Sequence, residues 1–216
     1  MKNNQYNVLR EKMLSQQLMA RGIFDQRVRE AFAATPRELF VEEQQKSLAY
    51  EDRPLPIGCN QTISQPYIVA LMTELLGVKE GETILEIGTG SGYQAAILKS
   101  MGANVYTVER IPELAERAKK VLLELALEVK IKVGDGTLGW EESSPYDKII
   151  VTAAAKEIPS PLIAQLKVGG RLIIPLGSSY HQELTIVDKV SSDKIIKRSE
   201  GGCIFVPLIG KYAWQE

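Results

Sequence analysis

A chain of 216 residues has room for one domain with a substantial core. Apolar residues make up 44%, charged residues 25%, and the formal net charge is -1, so no large basic excess offers a grip on nucleic acid or an anionic membrane. Two cysteines, Cys59 and Cys203, exclude a disulfide framework, show no metal-ligand spacing and point to a reducing compartment.

Met1 to Arg10 is polar and charged and lacks the apolar core of a signal peptide. No apolar run approaches the ~20 residues that span a bilayer, so a cytoplasmic location is the expectation. Val8, Leu9, Met13, Leu14, Leu18 and Met19 recur at helical spacing, which predicts a helix over Asn7 to Arg21 stopped by Gly22. Asp25 is suited to cap a second helix that runs through Ala34 and ends before Pro36. Residues 51–66 hold Pro54, Pro56, Gly58, Asn60 and Pro66 and read as a structured loop rather than a regular element. Ser64 reads as the cap of a helix from Pro66 to Leu76, with Gly77 at its end.

From residue 83 strands and helices alternate. Thr83 to Ile87 is a short apolar strand, followed by a glycine turn and a helix from Tyr93 to Met101. Strands follow at Asn104 to Glu109, Glu128 to Val133, Tyr146 to Thr152 and Gly170 to Pro175, with a helix over Pro112 to Leu127. Leu184 to Val190 and Cys203 to Leu208 are late strands with no clear helix between them. The alternation implies an α/β fold with a mainly parallel, doubly wound sheet. The last pair implies an antiparallel edge.

The turn Glu86-Ile87-Gly88-Thr89-Gly90-Ser91-Gly92 places a ligand at the carboxyl end of the first strand of this alternating part. Its glycines permit backbone angles and close approaches that a side chain forbids. The helix beginning near Tyr93 aims free N–H groups at the same space. The next strand ends in Glu109, placed to accept hydrogen bonds from both hydroxyls of an adenosine ribose. Gly92 is followed by Tyr93 and Gln94 rather than Lys and Ser/Thr, which excludes a phosphate-binding P-loop. A nicotinamide dehydrogenase fits less well, because position 93 is Tyr where its turn carries Gly, and Glu86 would oppose a pyrophosphate while suiting a cationic methionine.

Three segments taken together resemble one family. They are Asp52-Arg53-Pro54-Leu55-Pro56-Ile57-Gly58, Gln61-Thr62-Ile63-Ser64-Gln65-Pro66-Tyr67 and Leu85 through Ala96. They look like protein-L-isoaspartate O-methyltransferases. Arg21-Gly22-Ile23, Pro36-Arg37-Glu38, Gly134-Asp135-Gly136, Ile149 through Ala154, Gly169-Gly170-Arg171-Leu172 and Phe205-Val206-Pro207-Leu208 extend the likeness over roughly residues 15–210. The glycine turn is common to many methyltransferases, whereas Thr62-Ile63-Ser64 joined to it is specific to this family.

The resemblance implies a Rossmann-like, class I S-adenosylmethionine-dependent methyltransferase with N-terminal helices. It implies one domain over 1–216, with helices and substrate loop in 1–66 and the cofactor-binding core in 67–216. The implied reaction methylates the free α-carboxylate of L-isoaspartyl residues in damaged proteins. Ser64 is then the active-site serine, and Thr62, Ile63 and Ser64 hold the substrate carboxylate. Gln61, Glu86, Ile87, Gly88, Thr89, Gly90, Ser91, Gly92, Glu109, Asp135 and Gly136 serve the cofactor, Glu109 at the ribose and Asp135 and Gly136 beside adenine. Damaged protein substrates are the expected partners, with no nucleic acid, membrane or metal, and the chain is expected to be a monomer. His181, the sole histidine, reads as a surface-loop residue, which disfavours a histidine-dependent hydrolase. Three positions depart from the family pattern: Glu42 after Phe40-Val41, Asn60 where the family's Gly-x-Gly-Gln has its second glycine, and Ile204 where an arginine commonly precedes Phe-Val-Pro-Leu. A carboxyl methyltransferase for another substrate, and a cofactor-binding module without catalysis, remain open at this point.

Overall fold

The computed structural model describes residues 2–215. Helix α1, Lys2–Lys12, runs on through a π-helical stretch Met13–Leu18 and a 3-10 turn Met19–Arg21, and Gly22 ends the rod in a left-handed conformation, φ 92°. Helix α2, Gln26–Ala34, is capped by Asp25, whose carboxylate accepts from the N–H groups of Arg27 and Val28 at 2.8 and 3.3 Å. Both match the periodicity, and both bury one apolar face: Met13 and Leu18 on the first, Val28, Ala31 and Phe32 on the second.

Residues 51–66 are more regular than their prolines suggest. Strands β1, Leu55–Gly58, and β2, Gln61–Ile63, form an antiparallel hairpin closed by Cys59 and Asn60. Those two residues both have positive φ, 50° and 55°, as a tight two-residue turn between twisted strands requires. The loop expectation failed because prolines sit where the strand backbone donates nothing and because cysteine is an unusual occupant of a left-handed turn position. Helix α3, Pro66–Leu76, starts with Pro66 at its first turn and ends on Gly77, φ 64°. Gln65, not Ser64, is its N-cap, and no side chain caps it.

The alternating part follows: β3 Thr83–Ile87, α4 Tyr93–Ser100, β4 Asn104–Glu109, α5 Pro112–Glu124, β5 Lys130–Val133, β6 Tyr146–Val151, α6 Ser160–Gln165, β7 Leu166–Gly177, β8 Gln182–Lys189 and β9 Ile195–Cys203. The seven strands β3 to β9 make one sheet in the order β5-β4-β3-β6-β7-β8-β9. The first five are parallel, and β8 and β9 run antiparallel at the edge. Central parallel strands are covered on both faces and so are largely apolar. Ile84, Val105, Ile150 and Ile173 face a core shared with α2 to α5. Leu85, Ile87, Ile149, Val151 and Leu172 face a second core with Tyr146 and Leu162. Each fully buried aliphatic side chain of this kind contributes ~1.5–3 kcal/mol.

The last strand corrects the sequence reading. Cys203 to Leu208 is not a strand; β9 lies earlier, and its exposed, polar stretch Lys197 to Gly202 carries no alternation by which to recognise it. The chain after β9 turns back across the sheet. Ala154 donates to Val206 and Leu208 donates to Ala154, which lays residues 205–208 over the carboxyl end of β6. Among the described residues no helix is long and apolar enough to cross a membrane.

Candidate active site

In an open α/β sheet the strand order reverses direction where two crossovers part, and a crevice opens at the strands' carboxyl ends. Here that point is between β3 and β6. An open cleft lies there, lined by Gln61 to Ser64, Ile87 to Ser91, Glu109 to Ile111, Gly136, Thr152 and the segment Phe205 to Ile209. The hairpin and the glycine turn, some twenty residues apart in the chain, thus face one space.

The turn is built for close approach. Gly88 and Gly90 have φ of 94° and 52°. A Cβ at Gly88 would stand 2.5 Å from Thr152 Oγ1, whose hydroxyl donates to the Gly88 carbonyl at 2.6 Å. Gly92, φ 87°, lies off the cleft. A Cβ there would come 3.1 Å from that of Ala118, so its smallness lets α4 and α5 pack. Gly136 does line the cleft, and a Cβ on it would strike Ile87 Cγ2 at 2.5 Å.

Glu109 ends β4 almost fully buried, and its two oxygens accept from the N–H groups of Gly90 and Ile111 at 2.8 and 2.9 Å. Each carboxylate oxygen keeps a further lone pair. Glu86 is different. It is wholly buried and does not line the cleft. Thr107 donates to its Oε2, Thr107 and Thr89 share a 2.7 Å hydroxyl contact, and Oε1 has no hydrogen-bond partner among the described residues. Burial pushes the Glu86 carboxyl up to about 8, and the neighbouring charge of Glu109 adds to the rise. Thr89 lines the cleft, so a chain of hydroxyls connects the buried carboxyl to it. Asp135 is also off the cleft. Its Oδ1 accepts from Thr137 N–H and Oγ1, and its Oδ2 from Lys211 N–H, so it caps the turn Gly136–Leu138 and holds the C-terminal segment.

Thr62 is exposed, Ile63 buried and Ser64 half-buried at the cleft wall. The Ser64 carbonyl accepts from Arg37 Nη2 at 2.6 Å. Sequence reasoning named no role for Thr152, Tyr93, Gln94 or the segment 205–209, all of which line the cleft. The 205–209 segment was legible as a motif, but its path across the strand ends depends on tertiary pairing with Ala154. Ile204 is 86% exposed beside it. His181 lies in an exposed loop near the edge of the sheet, as expected.

The sheet order, the glycine turn and the acidic strand end define a Rossmann-like α/β transferase of the class I methyltransferase type. A family model for Protein-L-isoaspartate(D-aspartate) O-methyltransferase matches residues 9–213. A protein-L-isoaspartate O-methyltransferase of Geobacter metallireducens is 52% identical over 210 residues, 97% of each chain. One from Methanoculleus marisnigri is 50% identical over 214 residues, 95% of this chain and 94% of that one. A solved protein-L-isoaspartate O-methyltransferase superposes with a TM-score of 0.86 at 33% identity, over 94% of this chain and 67% of that one. A structure from Plasmodium falciparum, described as a putative member in complex with S-adenosyl-L-homocysteine, gives 0.80 at 28% identity, over 94% and 98%. This chain belongs to the protein-L-isoaspartate O-methyltransferase family.

Proposed function

We propose that this chain transfers the methyl group of S-adenosylmethionine to the free α-carboxylate of L-isoaspartyl residues in damaged proteins. The observation that carries this reading is the single cleft shared by the Thr62–Ser64 segment and the glycine turn. The residues fit the cofactor. Gly88 and Gly90 leave the backbone open to it, Glu109 keeps lone pairs for a ribose diol, and Gly136, packed against Ile87, lines the cleft where adenine would lie. A methionine ammonium or sulfonium nearby would in turn favour the ionised form of the buried Glu86, which is neutral at pH 7 without it. When bound, the cofactor supplies an electrophilic methyl group.

The residues present suit a nucleophile that needs no activation. A carboxylate with an ordinary pKa of about 4 is already ionised at neutral pH. The protein's work is then to hold it, align it and exclude water. Thr62, Ile63 and Ser64 hold the carboxylate at the cleft wall, beside the start of α3, whose first turn favours negative charge. Phe205, Val206 and Pro207 line the same cleft. In the ester product the following amide nitrogen then attacks the ester carbonyl, expelling methanol and closing a succinimide without further help, and hydrolysis returns part of it to normal aspartate.

The chain works as one domain over 1–216, with the N-terminal helices and hairpin of 1–66 serving substrate and 67–216 serving cofactor. It acts as a cytoplasmic monomer on protein substrates; the two unpaired cysteines support the reducing compartment. The test is transfer of a labelled methyl group to an isoaspartyl peptide, with the matching aspartyl peptide as control. A base-labile ester on the isoaspartyl peptide alone is the expected result, and Ser64→Ala should lower turnover while retaining S-adenosylhomocysteine binding. Transfer to neither peptide would refute the assignment.

A further inference from the structure

One buried cation stands behind the cleft wall. Arg37, in the 3-10 turn Arg37–Leu39, is wholly buried. Its Nε donates to the Ala49 carbonyl at 2.7 Å and its Nη2 to the Ser64 carbonyl at 2.6 Å. Its Cζ lies 4.8 Å from the centroid of the Tyr93 ring, which opens α4 and lines the cleft. Phe32 and Phe40 grip that ring edge-on at 5.8 and 5.3 Å. Arg37 Nη1 and the Tyr93 hydroxyl are buried against each other, and neither has another hydrogen-bond partner among the described residues. No carboxylate among those residues forms an ion pair with Arg37; the groups that face it electrostatically are Tyr93 and Tyr50.

An unpaired guanidinium in a protein interior is costly. Two carbonyl acceptors alone could be met by a neutral amide side chain, so the full charge asks for a further reason. Its position supplies one. The Ser64–Gln65 peptide is trans, so its carbonyl and the Gln65 N–H point in opposite directions. With the carbonyl drawn to Arg37, the N–H is turned to the far side, where α3 begins. A charge-assisted hydrogen bond on the carbonyl also polarises the amide and makes that N–H a stronger donor.

We propose that Arg37 is a positioning residue for the substrate carboxylate: through the Ser64 carbonyl it orients and polarises the Ser64–Gln65 peptide and lends the Thr62–Ser64 wall a positive potential. This rests on the reading of that wall as the carboxylate subsite. The kinetic signature is specific. The carboxylate loses its charge as it is methylated, so a group that favours the anion stabilises bound substrate more than the transition state. Its removal raises KM and leaves kcat unchanged or slightly higher. A strut whose loss merely loosens the fold would lower kcat.

The experiment compares Arg37→Gln and Arg37→Lys in the full chain, measuring KM and kcat for an isoaspartyl peptide and the Kd of S-adenosylhomocysteine. Because Arg37 acts through the Ser64 peptide and not on the substrate itself, Arg37→Gln predicts a KM rise of about twofold to thirtyfold. The Kd should stay within about twofold of wild type, and Arg37→Lys should recover part of the lost affinity. An unchanged KM in folded protein, or a Kd that rises in step with KM, overturns the proposal. If Arg37→Gln does not fold, Arg37→Lys decides by the same split: a raised KM at constant Kd supports it and an unchanged KM defeats it. Wild-type protein that binds S-adenosylhomocysteine yet methylates no isoaspartyl peptide would instead overturn the substrate assignment, before any variant is made.

Discussion

Glu86 shows how far a residue's identity can be read before its surroundings are known. Its place before the glycine turn suggested a carboxylate beside a cationic ligand, but its side chain lies wholly inside the protein and reaches the cleft only through Thr107 and Thr89. The folded state keeps this proton up to about pH 8, whereas an unperturbed glutamate releases it near 4.5. Between those limits the native state binds more protons than the unfolded chain, so this group's contribution to stability is full below 4.5 and is lost as pH rises through 8. Glu86→Gln removes that slope. Urea midpoints across this window should fall with pH in the wild type more steeply than in the variant; parallel curves would show that Glu86 does not hold its proton. Asp135, expected beside adenine, accepts from Thr137 and Lys211 and so caps the turn after β5.

At the scale of elements, the helices and central strands announced themselves, and the hairpin did not. Apolar period and Gly stops located α2, α3, β3 and β4 to within a residue because burial on one or both faces dictates their composition. The hairpin β1–β2 is short, interrupted by Pro56 and turned at Cys59 and Asn60. A non-glycine residue in the left-handed region is strained, and Asn tolerates it better than Cys. Cys59→Gly should therefore stabilise the fold by ~0.5 kcal/mol, part of the relieved strain being offset by the greater freedom of glycine in the unfolded chain. Denaturant unfolding reads this as a higher midpoint at unchanged slope. A lower midpoint would mean that the Cys59 side chain, which lies 3.6 Å from Glu113, contributes more than the strain costs.

The whole molecule assembles its cleft from the hairpin, the carboxyl ends of β3, β4 and β6 and the returning C-terminal segment. Such a site admits a substrate segment only if that segment can leave its own fold and extend. An isoaspartyl residue in a flexible peptide should be methylated at least about tenfold faster than the same sequence locked in a stable domain, because an opening cost of only ~1.4 kcal/mol already lowers the reactive population by that factor. Equal kcat/KM values for the two would contradict a cleft that takes extended chain.

The sequence by itself determined the parallel α/β core, the glycine turn with Glu109 as its acidic partner, and the family, because each rests on local chemistry: alternation, backbone freedom and residue type at fixed spacing. Only the tertiary structure decided which of those residues share a space. It set Glu86, Gly92 and Asp135 behind the cleft wall and brought Thr152 and residues 205–209 into it. It also ran a buried guanidinium from Arg37 to the back of Ser64. Burial, strand order and the direction a side chain faces arise from contacts between segments distant in the chain, and no local pattern encodes them.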